Sequence, residues 1–196
     1  MVIVSTSYEL EWEGPFYLLK SVGNSFWSSI TAKQKGIYAF CWKVDDDDSA
    51  FMPHYIGMTE NFYERVTQHI KNILNGTYYI YNNGSLNNNK KEYIYNPNQQ
   101  ELEWFLSNYD EIHDVLSEYF KCLGIFMAPS DNIIPSDNIT GEELYNIEAK
   151  LTKDVYDSEY GHILDSPEPR GKINEAIESI TVTSKGSLGS ILPKGF

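Results

Sequence analysis

A mixed α/β (α+β) domain, built on a three-stranded antiparallel sheet flanked by helices, is the fold class that the sequence predicts. Three patterns predict it. Gly36 to Val44 and His54 to Met58 are short aromatic and β-branched runs joined by a polar connection, the pattern of an antiparallel hairpin. Phe62, Val66, Ile70, Ile73 and Leu74 then recur at helical spacing. Cys122 to Ala128 is a continuous apolar run of strand length, as in a strand covered on both faces.

The remaining elements follow in chain order. Residues 8–20 alternate like a strand around a Gly14-Pro15 break, which suggests an N-terminal strand or hairpin added to the core, the hairpin being the expectation carried into the fold. Thr59 stands where a helix N-cap belongs, with Glu60 in the first turn, and Asn75-Gly76 ends that helix. Residues 75–99 are rich in Asn, Tyr and Lys, with Asn-Gly again at 83–84, and read as an insertion without a core of its own. Gln99 to Phe120 reads as a helical insertion, two helices or one broken near Asn108-Tyr109. Thr140-Gly-Glu-Glu143 is a capping box that opens a helix to about Tyr156, with Leu144, Ile147, Leu151 and Val155 as its apolar stripe. After Pro167 and Pro169 come a weak helical piece, Asn174 to Ile180, and a Gly/Ser-rich end. The expected organisation is therefore an N-terminal extension (1–30) packed on a core domain (31–170), with a C-terminal tail (171–196).

Composition limits the function classes. No apolar run approaches the ~20 residues of a membrane-spanning helix, and the acidic start MVIVSTSYELEWEGP is unlike a signal peptide. A cytoplasmic protein is the expectation. Cys41 and Cys122 have no metal-ligand spacing and read as small apolar residues. The net charge of −13 opposes a general affinity for phosphate backbones, which rests on Lys and Arg. Binding of nucleic acid therefore requires a local site, toward which Lys33, Lys35, Lys71, Lys90 and Lys91 should be biased. Asp45 to Asp48 reads as a solvated hairpin tip.

A constellation of reactive residues falls on these elements. Gly36-Ile37-Tyr38 and Tyr55-Ile56-Gly57 occupy the two hairpin strands. Arg65 lies on the next helix and His69 one turn later on the same face. Glu148 interrupts the apolar stripe between Leu144 and Leu151, where a carboxylate is costly unless paired or bound to metal. Singly, each has an ordinary explanation: tyrosines suit strands, a lone Arg is usually solvated, and a lone His is usually structural. His54, His113 and His162 are left with that explanation.

Together, GIY at 36–38, YIG at 55–57, Arg65 and His69 in YIGMTENFYERVTQH, and Glu148 in LYNIEAKL resemble the GIY-YIG endonuclease family over roughly residues 33–170. The resemblance implies a metal-dependent endonuclease that hydrolyses phosphodiester bonds in DNA, with Tyr38, Tyr55, Arg65, His69 and Glu148 as catalytic residues. It implies that Glu148 holds one divalent ion, Mg²⁺ or Mn²⁺, that Arg65 clamps the phosphoryl oxygens, and that a tyrosine aided by His69 takes the water proton. Tyr55 is the first choice for that base and Tyr38 the second. The sequence departs from the pattern in four places. The span between the tripeptides is long, Met58 replaces a frequent basic residue, the stretch from His69 to Glu148 is long, and the Asn after the glutamate's helix has only Asp165 and Asn174 as candidates. Met58 and the net charge of −13 favour the alternative of a non-catalytic nucleic-acid- or protein-binding module on the same scaffold.

Overall fold

In a computed structural model, residues 6–44, 50–88, 90–135, 138–165 and 175–192 are described. The acidic segment at 45–49 and Asn174 lie outside them. The strands are β1 (Thr6–Phe16), β2 (Gly36–Lys43), β3 (Phe51–Thr59), β4 (Ile80–Tyr81), β5 (Tyr93–Tyr95), β6 (Leu123–Pro129), β7 (Ile133–Ile134) and β8 (Ile180–Gly186). The helices are α1 (Phe62–Leu74), α2 (Asn83–Asn87), α3 (Leu102–Ser107), α4 (Tyr109–Cys122), α5 (Gly141–Tyr156) and α6 (Glu175–Glu178). The α+β class is as expected. Among the described residues no helix is long and apolar enough to cross a membrane.

The expected three strands form the antiparallel order β3-β2-β6, with Tyr38 opposite Gly57 on one side and Met127 on the other. The sheet is larger than expected, with six strands. The N-terminal segment is a single strand, not a hairpin. Its distal part pairs antiparallel with β6, and its first part pairs with β7 and, in parallel, with β8. Gly14-Pro15 shifts the register against β6 without ending the strand. The C-terminal segment likewise joins the sheet: Ile180 and Val182 point into the core while alternate residues stay half-exposed.

Strand β2 is buried on both faces, which explains its nearly uninterrupted apolar sequence. Ile37, Ala39 and Cys41 meet the α5 stripe of Leu144, Ile147, Leu151 and Val155. Tyr38, Phe40 and Trp42 meet Phe62 and Val66 of α1 and Ile112, Leu116 and Tyr119 of α4. Burying each of these large side chains contributes roughly 1.5–3 kcal/mol. The sheet is thus sandwiched, with α1 and α5 in opposite layers.

The cap of α1 falls two residues later than expected. Thr59 still pairs with Gly36 in the β2–β3 ladder, so its backbone is committed to the sheet. Asn61 caps instead, accepting from the Glu64 N–H at 3.2 Å, while Thr59 Oγ1 accepts from the Asn61 N–H at 3.1 Å. The C-terminal stop at Asn75-Gly76, the break between α3 and α4 at Asn108, and the Thr140–Glu143 capping box are as the sequence predicts. The insertion differs. It folds into the β4–β5 pair and buries Ile80, Tyr81, Leu86 and Tyr95.

Candidate active site

Alternation along β2 sends the side chain of Tyr38 to the α1 side, where it is fully buried. Arg65 and His69, one helical turn apart, reach the same hydroxyl. Arg65 Nε donates to Tyr38 Oη at 3.2 Å, and His69 Nε2 lies 2.8 Å from that oxygen. Tyr55 stacks on Tyr38 with ring centroids 5.9 Å apart and packs edge-on to His69 at 5.0 Å. Its phenol also interacts electrostatically with Tyr38 and Arg65. The structure therefore brings together Tyr38, Tyr55, Arg65 and His69.

The motif glycines have a physical reason in this packing. A Cβ on Gly57 would lie 2.6 Å from Tyr38 Oη, so this position must be bare for the hydroxyl to sit where it does. We expect Gly57→Ala to displace that hydroxyl and loosen its bonds to Arg65 and His69. The measurement is the ¹⁵N chemical shift of His69, which should move toward that of a solvated imidazole.

Proton positions follow from donor accounting. The Arg65 guanidinium only donates, so Tyr38 Oη accepts there. Burial, followed by the charge of Arg65, pushes the His69 imidazole down to about 4, so it is neutral near pH 7. In the arrangement that satisfies these groups, Tyr38 donates to His69 Nε2 and accepts from Arg65 Nε. Burial, and then the neighbouring Tyr55, push the Tyr38 phenol well above its ordinary range, although Arg65 acts in the other direction. Burial alone would lower the Arg65 guanidinium, but the phenols of Tyr38 and Tyr55 outweigh it and the group stays charged.

A neutral buried histidine makes the fold acid-sensitive. Between pH 6.5 and about 4 the unfolded chain protonates His69 and the folded chain does not, so stability falls as pH drops through that window. The expected loss is about 2 kcal/mol after discounting for residual solvent screening. Buried His54 shifts in the same direction for the same cause. Thermal midpoints at pH 7.5 and 5 check this, and His69→Gln should flatten the difference.

A small aromatic cavity opens beside Tyr55 and His69, walled by His54, Tyr78, Tyr81 and Tyr119 among others, with Asp165 at its edge. Lys91 pairs with Asp165 at 3.1 Å and also donates to the Leu164 carbonyl at 3.1 Å, while the Asp165 N–H donates to the His54 carbonyl at 2.7 Å. The Tyr81 hydroxyl is buried facing Asp165 but falls short of a hydrogen bond. Sequence reasoning gave none of these wall tyrosines a role, and had Asp165 only as a candidate for an absent Asn. The Lys91–Asp165 contact joins positions far apart in the chain. Of the lysines expected at the cleft, Lys91 reaches this wall, while Lys35 donates to the Ile139 carbonyl at 3.0 Å.

Glu148 comes from the other layer. It is half-buried on α5 among buried Leu144, Ile147, Leu151 and Thr152, and α5 packs on β8 and on β3, the edge strand that carries Tyr55. Its carboxylate is a hard oxygen donor of the kind Mg²⁺ and Mn²⁺ accept, with water or phosphate supplying the other ligands. Among the described residues, no three His, Cys, Asp or Glu side chains gather into a metal-binding group. Compared with protein-family models, curated proteins and solved structures, the chain gives no match.

Proposed function

We propose that this chain is a metal-dependent endonuclease that hydrolyses phosphodiester bonds in DNA, acting through Tyr38, Tyr55, Arg65 and His69. One observation carries the reading: a buried tyrosine hydroxyl held between a guanidinium at 3.2 Å and a neutral imidazole at 2.8 Å, with a second, half-buried tyrosine stacked on its ring. The adjacent strands β2 and β3, with α1 following the hairpin, support it because they carry Tyr38, Tyr55, Arg65 and His69 to one place.

The network can move one proton inward. As water attacks phosphorus, its proton passes to the Tyr55 oxygen, the Tyr55 proton to Tyr38 once the two stacked phenols bring their hydroxyls within hydrogen-bond distance, and the Tyr38 proton to His69 Nε2. The bond from phosphorus to the leaving sugar oxygen breaks, and that oxygen takes a proton from solvent. Burial and Arg65 lower the affinity of His69 for the arriving proton, and the negative charge of Asp165 offsets part of that. Arg65 uses one of its five N–H donors, Nε, on Tyr38, leaving others for the phosphoryl oxygens, where charge grows in the transition state. Glu148 is the residue that would hold a divalent ion, which when bound supplies charge neutralisation at the phosphate.

A second reading, a binding module without catalysis, is favoured by the placement of α5 in the layer opposite α1. Glu148→Ala separates the two. On supercoiled plasmid at low salt with Mg²⁺ or Mn²⁺, the wild type should nick and the variant should not, with its thermal midpoint unchanged or slightly raised. A variant that cuts like the wild type would remove Glu148 from the mechanism. A wild type inert with every divalent ion would leave the binding module.

A further inference from the structure

We propose that the insertion at residues 75–99 is a binding surface for single-stranded nucleic acid, placed to hold unpaired bases beside Tyr55. The inference rests on the nuclease reading for its purpose but not for its test.

Two separate features of the insertion point to such a ligand. The first is aromatic. Tyr78 packs edge-on to His69 at 5.6 Å, so the insertion touches the candidate site directly. Tyr79 lies against Tyr93, ring centroids 4.7 Å apart and tilted by 33°, and Tyr93 is 39% exposed. Tyr81 packs on the same ring at 5.1 Å, so Tyr93 is the solvent-facing member of a tyrosine cluster. Such partly exposed aromatic rings are the usual platform for unstacked bases, and they accept any base because every base has a π-face. A duplex, with its bases stacked inside, offers them nothing comparable.

The second feature is polar. Next to β5, a hollow lined by Asn82, Gly84, Ser85, Asn88, Lys90 and Glu92 opens to solvent. Lys90 is exposed, and uncharged amides and a hydroxyl make up most of the rest, which suits a sugar–phosphate backbone approached with few charges. This arrangement resolves the difficulty raised by the net charge of −13. Stacking supplies affinity that does not depend on a large basic patch. The wall is also anchored, because Lys91 pairs with Asp165 and Leu164 outside the insertion.

The test is fluorescence anisotropy of end-labelled oligonucleotides in EDTA, where cleavage does not interfere. Oligo-dT, oligo-rU and a duplex of equal length are the probes, with the intact chain at low salt. We expect a single strand to bind at least tenfold more tightly than duplex, and the DNA and RNA arms to show which sugar is preferred. Tyr93→Leu and Tyr79→Leu keep apolar bulk but remove the π-face, and each should weaken binding roughly tenfold. Tyr93→Phe should bind like the wild type, and unchanged circular dichroism and thermal midpoints of the leucine variants exclude a loss caused by unfolding. Duplex binding equal to single-strand binding, or leucine variants that bind like wild type, would overturn the proposal. So would no single-strand binding at all. Single-strand binding by a protein that never cleaves would instead defeat the catalytic reading and leave this one standing.

Discussion

Arg65→Ala should reduce phosphodiester cleavage on the order of 10³-fold while leaving the fold cooperative. The side chain is half-buried at the mouth of the site, and its Nε holds Tyr38 Oη at 3.2 Å. Two losses combine in the variant. A charged donor disappears from the phosphoryl oxygens, where single donors of this kind typically carry 10²–10³ in rate. Tyr38 also loses the cation that counters the burial of its phenol, so the relay to His69 is less well positioned. Removing Arg65 takes away a positive neighbour that depresses His69, so the imidazole should titrate higher in the variant. An NMR titration of His69 beside the cleavage rate separates the two contributions. Arg65→Lys keeps the charge and loses the planar fork, and should recover only part of the rate.

The largest effect on stability is expected at Gly36. Its φ is +153°, and a Cβ there would lie 2.2 Å from the Ala128 carbonyl oxygen and 2.9 Å from Phe62 Cζ. The first contact is with the backbone of β6, hydrogen-bonded to β2, so no side-chain rotation relieves it. Gly36→Ala should cost on the order of 3–5 kcal/mol, combining steric overlap in a packed sheet with backbone strain. Chemical denaturation gives the number. A smaller penalty would mean that β2 and β6 can separate without losing the core. The same glycine sets where β2 starts, and so the register that carries Tyr38 to the α1 side.

The parts of this molecule that could be read in the sequence are those fixed by local spacing. The hairpin, the α1 stripe and its stop at Asn75-Gly76, and the Thr140–Glu143 capping box each depend on residues within a few positions of one another. The meeting of Tyr38, Tyr55, Arg65 and His69 was legible for the same reason, since one hairpin register and one helical turn bring them together. What escaped depends on distant pairing. Strand β8 joins β1 across nearly the whole chain, and its Ile180–Val182 alternation is too short to distinguish from a tail beside Gly and Ser. Gly14-Pro15 looked like a turn because such pairs usually are, yet here the strand runs through it with a register shift. Asn-rich composition concealed that the tyrosines of the insertion pack on one another and on His54. The layer of Glu148 was likewise hidden, because helical periodicity gives the face of a helix and not the side of the sheet it covers.

The central claim concerns one oxygen atom. Tyr38→Phe removes the hydroxyl that links Arg65 to His69 and keeps the buried ring, so it isolates the relay from packing. Single-turnover cleavage of a labelled oligonucleotide with Mg²⁺ or Mn²⁺, wild type against Tyr38→Phe, is the direct measurement. The account predicts that the wild type cleaves and that the variant, still folded by circular dichroism, loses roughly 10²-fold or more in rate. Cleavage by Tyr38→Phe at the wild-type rate would contradict it.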